Sequence, residues 1–299
     1  MTRSGLLLIV LMAALTTSAC TEAIGTEPKP QPAGYSFAPT VTTVSRPPAP
    51  KPRVAVFGDS TALMSSFGLA QWLETSGRGV YVEGRVDLGC GIVRQGLRRD
   101  QLGQGPNNPI CQRWDIHWRE MLEQSRPDIV MVQVGPWDII DHLLEGDTIW
   151  RAPGDPVYDA MLQHEMLAVV DLFASRHVHV AWLTLPRQRV EVGQTLGSEN
   201  APGTDPARSR RFNELLAELP EKRPGAVTIL DLAAWLTEPG RDQTIRPDGI
   251  HVTFETTYTQ AAQWLGDALI SAFEAAWSAN HRPAGPCAGF PGSLSSEPC

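Results

Sequence analysis

The first indication of the fold comes from the stretch Arg53-Val54-Ala55-Val56-Phe57-Gly58-Asp59-Ser60-Thr61. Arg53–Phe57 is a short apolar run typical of a strand, and Thr61–Glu74 has the residue spacing of a helix. The Gly-Asp-Ser between them is therefore the turn from the carboxyl end of a first strand into a first helix. An Asp-Ser pair at such a place is often only a helix N-cap. A serine there is also exposed to ligand, and its own N–H points outward from a helix N-terminus.

The rest of the middle of the chain alternates strands and helices in the same way. Apolar strands bridged by helices indicate a parallel sheet covered on both faces. The crossover rule then favours a flavodoxin-like, three-layer α/β/α domain with a parallel sheet of about five strands and ligands at their carboxyl ends. The further strands are predicted at Val80–Val86, Asp128–Val134, Val178–Leu185 and Val227–Leu232. The further helices are predicted at Cys111–Gln124, Tyr158–Ser175, Ala207–Leu219 and Phe254–Trp277.

Composition and charge fit a folded domain and exclude several other classes of protein. Of the 299 residues, 42% are hydrophobic and 19% are charged. This is enough apolar material for one sizeable core, and it excludes a disordered polymer, a peptide hormone and a coiled-coil rod. Acidic residues outnumber basic ones by 33 to 25, for a formal net charge of −8. No block of Lys and Arg interrupts this balance, so nucleic acid is not an expected partner.

The N-terminal segment predicts export. Residues 1–19 combine Arg3, an apolar run and small residues in the layout of a secretory signal peptide, and the run is too short to span a membrane. The small residues end at Cys20, which resembles the lipobox of bacterial lipoproteins. We interpret Cys20 as lipidated, with an ordinary cleaved signal as the alternative. Residues 20–52 are then the lipid-anchor cysteine and a Pro/Thr-rich linker. The protein is expected on the outer face of the cell membrane, or secreted.

The four remaining cysteines agree with an oxidising compartment. Cys90 and Cys111 lie in the globular region, whereas Cys287 and Cys299 lie in a Pro/Gly/Ser-rich tail, residues 279–299. Closeness in sequence favours the pairs Cys90–Cys111 and Cys287–Cys299 over the two crossed alternatives. No Cys-x-x-Cys pair and no Cys/His cluster has the spacing of a zinc site, so no metal is expected.

A second polar motif lies just before the last predicted helix, and it reads Arg246-Pro247-Asp248-Gly249-Ile250-His251. Asp248 stands three residues ahead of His251 on a Gly-containing turn. It can therefore hydrogen-bond one ring nitrogen and leave the other to take a hydroxyl proton. With Ser60, these residues outline a Ser, Asp, His triad that is recognisable by the role of each member.

Gly58-Asp59-Ser60 and Asp248-x-x-His251 resemble the first and last blocks of the SGNH (GDSL-type) hydrolase family. The resemblance covers residues 53–278 and implies a three-layer α/β/α fold, with Asp59 supporting the nucleophile turn. It also implies ester chemistry at a serine nucleophile, without a metal or organic cofactor.

The second family block supplies a glycine N–H that joins the N–H of the nucleophile in an oxyanion hole. Leu88-Gly89-Cys90-Gly91 falls at that place. The resemblance assigns the donor to Gly89, with Gly91 as the alternative.

The third block departs from the family pattern. Where the family has Gly-x-Asn-Asp, this chain has Gly135-Pro136-Trp137-Asp138, so Trp137 replaces the oxyanion-hole asparagine. Losing one such donor can cost about two to three powers of ten in rate. Together with Gly-Cys-Gly, Cys-x-x-Trp and Arg-Pro-Asp-Gly-x-His, this block is similar to the SGNH-like domains associated with acyltransferase-3 membrane proteins. That likeness implies a Cys90–Cys111 disulfide near the site. It leaves Trp137 either as an indole N–H donor or as a packing surface for the acyl group.

The resemblance implies a serine esterase or O-acyltransferase, which the export signal would place outside the cytoplasm. Its expected substrate is an acylated carbohydrate, with acetyl as the first choice of acyl group on cell-envelope glycans, and its candidate partner is a membrane acyltransferase. The alternative is a catalytically weak lipoprotein that binds a glycan or presents it to envelope acylation machinery. The acceptor, water or a sugar hydroxyl, is chosen by surface loops that sequence does not resolve.

Other polar residues carry weaker predictions. His177 and His179 alternate on the fourth predicted strand and are interpreted as structural. Arg187 and Arg189 follow that strand at the ligand-binding edge, where an anionic substrate would meet them. Pro186–Pro206 is a long loop at the same edge.

Overall fold

The computed structural model describes residues 48–100, 103–189 and 202–281. The chain divides into two units, Met1–Val44 and Ser45–Cys299, and the described residues all lie in the second. Among the helices in these ranges, none combines the length and the apolar character that crossing a bilayer requires.

Several predictions concern residues outside this part of the chain. The signal peptide, Cys20, nearly all of the linker and the Cys287–Cys299 pair lie outside the described residues, as does the middle of the Pro186–Pro206 loop. These remain predictions.

The described residues form short strands and helices that alternate along the chain. The strands are β1 (Arg53–Gly58), β2 (Val80–Tyr81), β3 (Arg85–Val86), β4 (Leu97–Asp100), β5 (Gly103–Pro106), β6 (Ile129–Gln133), β7 (Asp141–Leu143), β8 (His179–Leu183) and β9 (Val227–Leu230). The α-helices are α1 (Ser60–Ser76), α2 (Trp114–Ser125), α3 (Pro156–Ala174), α4 (Pro206–Ala217), α5 (Leu219–Lys222), α6 (Leu232–Trp235), α7 (Arg241–Ile245), α8 (Phe254–Thr257) and α9 (Gln260–Asn280).

The main sheet is parallel and has the predicted flavodoxin-like order. β1 pairs with β6 on one side, and β8 and β9 continue the sheet beyond β6. On its other side β1 pairs with β2 at its start and with β3 at its end. β2 and β3 thus share one strand position, and the order across the sheet is β2/β3, β1, β6, β8, β9. When the five strand positions are numbered along the chain, this is the flavodoxin-like order 2-1-3-4-5. The prediction of a parallel sheet of about five strands is confirmed. The second strand differs only in being broken in two at 82–84.

Both faces of the main sheet are covered by helices. Side chains alternate between the two faces along each strand, so these apolar strands place apolar side chains on both faces. On β1, Val54 and Val56 belong to the core shared with α1 and α9, whereas Ala55 and Phe57 belong to the core shared with α2, α3 and α4. All four side chains are at most 1% exposed. Burying one large apolar side chain stabilises a fold by about 1.5–3 kcal/mol. Strands without a polar position are therefore stable only in this three-layer arrangement.

A second sheet, which the sequence patterns do not predict, consists of three antiparallel strands. β4 lies in its centre, between β5 and β7. Its strands read Leu-Arg-Arg-Asp, Gly-Gln-Gly-Pro and Asp-His-Leu, so none has an alternation of apolar and polar residues. We call this three-stranded unit the small sheet.

Two further elements differ from prediction. The long closing helix is two helices, α8 and α9, separated by Tyr258 and Thr259. β8 begins at His179, so His177 is not on the strand; it adopts a positive φ of 59° in the turn before it.

Candidate active site

Ser60 is the first residue of α1, and Asp59 alone separates it from the end of β1. Asp59 caps the helix, since its Oδ1 accepts from the backbone N–H of Thr61 at 2.8 Å and from the Thr61 hydroxyl at 2.6 Å. Asp59 is completely buried, and this burial raises its pKa to about 6 against the opposing effect of the Thr61 hydrogen bonds. The cap fixes the turn that presents Ser60 at the carboxyl edge of the main sheet.

His251 connects Ser60 to Asp248. Its Nε2 lies 2.8 Å from Ser60 Oγ, and its Nδ1 lies 2.7 Å from Asp248 Oδ2. Because an ionised carboxylate only accepts hydrogen bonds, the ring proton belongs on Nδ1. Nε2 is then the acceptor that faces the Ser60 hydroxyl. The structure thus places these three side chains in one hydrogen-bonded row.

The Asp248 carboxylate is held in its ionised form. Its Oδ1 accepts from the backbone N–H groups of Ile250 at 2.8 Å and His251 at 2.7 Å. Partial burial raises the pKa of Asp248, but hydrogen bonds from the His251 ring and from these two N–H groups outweigh it and lower the pKa to about 2. A charged carboxylate at this place can orient the imidazole and stabilise an imidazolium.

The turn that carries Asp248 is braced by Arg189, a role that sequence reasoning missed. Gly249 has a φ of 77°, and a Cβ there would overlap the backbone oxygen of Arg189. The Arg189 guanidinium donates to Asp242 Oδ2 at 2.7 Å and to the carbonyl of Arg246 at 2.6 Å. The Arg189 guanidinium therefore binds acceptors of the protein itself. The prediction that it meets an anionic substrate has no support.

Gly89 lies in the turn Asp87-Leu88-Gly89-Cys90, closed by a 3.2 Å hydrogen bond from the Cys90 N–H to the Asp87 carbonyl. Its φ is 74°, the value that the third position of a type II turn requires. Within residues 48–100, 103–189 and 202–281, no acceptor is bound by the backbone N–H of Gly89 or of Ser60. Both N–H groups are thus available to an external oxygen atom.

Trp137 lies beside this turn. A Cβ on Gly89 would stand 3.9 Å from Cζ2 of the Trp137 ring. Trp137 is partly exposed, and its Nε1–H donates to none of the residues that the structure describes. The indole is therefore placed where either role predicted for it, hydrogen-bond donor or packing surface, is open to it.

Gly91 faces a different group, the side chain of Asp138. A Cβ at Gly91 would overlap the Asp138 carboxylate, which is completely buried. Oδ1 of that carboxylate accepts from the backbone N–H groups of Ile92 at 2.8 Å and Val93 at 3.0 Å. Burial raises the pKa of Asp138 to about 7, against these two hydrogen bonds. Gly91 is thus the residue that makes room for a buried carboxyl beneath the turn.

Cys90 and Cys111 form a disulfide, as predicted. Both cysteines are buried. The bond joins the residue after Gly89 to the short 3₁₀ helix Cys111–Arg113 that leads into α2. The Gly89 turn is therefore covalently tied to a helical layer of the domain.

The remaining histidines and acidic residues form no candidate metal site in the described part of the chain. No group of three His, Cys, Asp or Glu side chains there is close enough to hold a metal ion. His179 lies between the carbonyl of Gly225 and the hydroxyl of Thr228, at 3.1 and 2.8 Å, which fits the structural role predicted for it.

Comparisons with known proteins place the chain in a family. The model of a family described as an SGNH domain fused to AT3 domains matches residues 28–254. A protein from Bacteroides fragilis NCTC 9343 assigned as an acylhydrolase is similar in structure, with a TM-score of 0.48, 15% identity, and coverage of 76% of this chain and 90% of its own.

Two further solved structures are similar at the same level. An acetyl xylan esterase has a TM-score of 0.46 and 14% identity, covering 73% of this chain and 99% of its own. A GDSL-like lipase from Bacteroides thetaiotaomicron VPI-5482 has a TM-score of 0.47 and 13% identity, covering 76% and 88%. A comparison with curated proteins gave no match.

Proposed function

Because the chain belongs to the SGNH family of ester hydrolases, in the branch described as fused to AT3 domains, we propose that it is a serine esterase or O-acyltransferase of cell-envelope glycans. Ser60 is its nucleophile, and O-acyl groups, acetyl first among them, are what it removes or transfers. One observation carries the proposal: the Ser60 hydroxyl lies 2.8 Å from His251 Nε2, and the other nitrogen of that ring lies 2.7 Å from the Asp248 carboxylate.

Acylation of the serine is the first half of the reaction. His251 takes the hydroxyl proton of Ser60 through Nε2 while Oγ attacks the ester carbonyl carbon. Asp248 stabilises the imidazolium that forms. The imidazolium then returns the proton to the leaving alkoxide oxygen, and an acyl-enzyme remains on Ser60.

Release of the acyl group is the second half. His251 deprotonates an incoming hydroxyl, which attacks the acyl-enzyme carbonyl, and Ser60 regains its proton. With water as the acceptor the protein is a carbohydrate O-acyl esterase. With a glycan hydroxyl it is an O-acyltransferase.

The negative charge that develops on the carbonyl oxygen needs donors placed in advance. The N–H groups of Ser60 and Gly89 are the proposed donors, because both lack an acceptor among the described residues. Trp137 supplements them from the place of the missing asparagine. Preorganised donors of this kind account for about two to three powers of ten in rate each.

The substrate class and the partner are supported by the family description and by the N-terminal sequence. A domain of a type found fused to AT3 domains suits acyl transfer with a membrane acyltransferase as donor protein. A lipid on Cys20 followed by a Pro-rich linker would hold the domain outside the cytoplasm, near envelope glycans. No cofactor enters the mechanism.

Hydrolysis of p-nitrophenyl acetate by the purified full chain tests the nucleophile. Ser60→Ala and His251→Ala should each lower the rate by at least about a thousandfold, since neither partner acts alone. Ser66→Ala, a serine on the same helix whose hydroxyl donates to the Leu63 carbonyl, and the exposed His164→Ala are matched controls and should retain the rate. Hydrolysis by the folded protein that is no faster than by Ser60→Ala would contradict the proposal and favour the glycan-binding alternative.

The acceptor is tested on the same protein. An acetylated sugar is supplied as donor and a second, unacetylated glycan as acceptor, and free acetate and acetylated acceptor are measured by mass spectrometry. Acetate alone identifies an esterase, and acetylated acceptor identifies a transferase. If Ser60→Ala forms either product at the rate of the unaltered chain, neither an esterase nor a transferase activity depends on Ser60, and the proposal is excluded.

A further inference from the structure

We infer that Arg98, in the small sheet, is the positioning residue of the oxyanion hole, holding the Gly89 turn and the Trp137 ring in place relative to each other. The inference rests on the proposed function, because it concerns the donors that stabilise the oxyanion. Arg98 does not touch the reacting atoms; it acts through the two groups that face them.

Arg98 contacts both groups directly. Its Nη1 donates to the carbonyl oxygen of Gly89 at 2.6 Å. Its guanidinium carbon lies 4.5 Å from the centroid of the Trp137 ring, within the range of a cation–π contact. One planar cation thus links the loop after β3 to the loop after β6.

His142 holds the same tryptophan from the neighbouring strand. Arg98 and His142 are directly opposite each other in β4 and β7, so their side chains leave the small sheet on the same face. The His142 Nε2 lies 3.0 Å from the Trp137 carbonyl. Burial lowers the pKa of His142 to about 4, and the nearby Arg98 charge acts in the same direction. The ring is therefore neutral near pH 7, and Nε2 must carry the proton that it donates.

The Gly89 turn needs a support of this kind because glycine has unusual backbone freedom. The peptide plane between Gly89 and Cys90 is held at its nitrogen by the Asp87 carbonyl and at its oxygen by Arg98. If the oxygen is released, the plane can rotate, and the adjoining Gly89 N–H no longer has one direction. Oxyanion donors are effective only when they are fixed before the reaction.

The charge of Arg98 is also distinctive. Among the ion pairs of the described residues, none joins Arg98 to a carboxylate, although its neighbour Arg99 pairs with Asp141 at 2.6 Å. An unneutralised cation therefore stands behind the Gly89 peptide. Its field favours negative charge at the proposed oxyanion position.

Arg99 offers a closely matched control. It is the next residue on β4 and points to the opposite face of the small sheet. Its guanidinium carbon lies 4.5 Å from the centroid of Trp150, so it makes the same type of ring contact away from the site. Replacing either arginine removes one charge and one cation–π contact from the same strand.

The first test compares Arg98→Gln, Arg98→Lys and Arg99→Gln in the full chain with p-nitrophenyl acetate. Arg98→Gln should lower kcat about tenfold to a hundredfold and change KM by less than about twofold, because the lost support matters mainly in the transition state. The kcat of Arg98→Lys should lie between that of Arg98→Gln and that of the unaltered chain. A lysine ammonium can donate to the Gly89 carbonyl, but it cannot lie flat on the Trp137 ring. Arg99→Gln should keep kcat within about twofold.

The second test does not depend on activity. The indole N–H resonance of Trp137, assigned by its loss in Trp137→Phe, is followed in ¹H–¹⁵N spectra of the folded variants. It should shift in Arg98→Gln and stay in place in Arg99→Gln, which should instead shift the Trp150 signal.

The outcomes separate this inference from the proposed function. If Ser60→Ala is as active as the unaltered chain, the proposed function is wrong. If the Trp137 signal does not shift in Arg98→Gln, the positioning role of Arg98 is wrong, whatever the activity of Ser60→Ala. If Ser60→Ala is inactive while Arg98→Gln and Arg99→Gln have equal kcat values, the proposed function stands and the inference about Arg98 is wrong.

Discussion

The buried carboxyl of Asp138 should make the folded protein less stable as the pH rises, and Asp138→Asn should remove the part of that dependence that Asp138 causes. In the folded chain one oxygen of this carboxyl, Oδ1, accepts hydrogen bonds from two backbone N–H groups. The other, Oδ2, is buried without a partner among the described residues. A proton on Oδ2 therefore removes the cost of a buried charge, and an amide nitrogen at that place would mimic the protonated form.

The sign and size of the effect follow from the two pKa values. Burial raises the pKa of Asp138 from 3.8 to about 7 in the folded chain. Between these values the folded state holds a proton that the unfolded state releases, so stability is lost as the pH rises through this window. The whole window corresponds to about 4 kcal/mol at 1.36 kcal/mol per pH unit, and about 3 kcal/mol of it falls between pH 5 and pH 8.

Urea unfolding of the full chain and of Asp138→Asn, followed by circular dichroism at pH 5 and pH 8, measures the difference. His142 works in the opposite direction, since burial lowers its pKa from 6.5 to about 4 and so adds stability as the pH rises through that range. Both proteins contain His142, and its effect cancels in the comparison. The unaltered chain should lose about 3 kcal/mol more than the variant between the two pH values. Equal losses in the two proteins would show that Asp138 does not hold a proton in the folded chain in this pH range.

Three further predictions concern the supports of the site and its anchor. Reducing the Cys90–Cys111 disulfide, whose cysteines are 21 residues apart, should lower the free energy of unfolding by about 3 kcal/mol by the chain-entropy estimate; equal urea midpoints with and without reductant would contradict this. Gly249→Ala should lower kcat for p-nitrophenyl acetate at least about tenfold, because a methyl group there overlaps a backbone oxygen and shifts the Asp248 turn; unchanged kcat would show that the turn tolerates it. Cys20→Ser should move the protein from the membrane fraction to the soluble fraction, and an unchanged distribution on immunoblots would exclude a lipid anchor at this residue.

Local sequence patterns were sufficient for the main sheet. Its strands are apolar on both faces, as in Val54–Phe57 and Ile129–Val132, and this pattern arises because helices cover both sides. The strand order followed from the handedness of crossovers rather than from any residue. Ser60, Asp248 and His251 could be found because each lies at the end of a predictable element and carries a recognisable short motif.

The small sheet could not be predicted, because its strands are stabilised by contacts that no local pattern encodes. Arg99 on β4 pairs with Asp141 on β7, 42 residues further along the chain. No sequence motif includes Arg98, and only the folded chain places it between Gly89 and Trp137.

The same limit applies to the brace around the Asp248 turn. The sequence pattern places Arg189 at the correct edge of the sheet, but its partner Asp242 is 53 residues away. A sequence pattern gives the position of a charged residue along an element, whereas its partner depends on which loops the fold brings together.

Ser60 acts in this mechanism as a nucleophile that His251 activates. The most direct measurement treats the full chain with an alkyl fluorophosphonate, which phosphonylates activated serines, and locates the adduct by peptide mass spectrometry. We expect a single adduct on Ser60, absent from Ser60→Ala and formed at least about a hundredfold more slowly in His251→Ala. A folded chain that gains no adduct on Ser60, or one that gains it equally fast without His251, would contradict this mechanism.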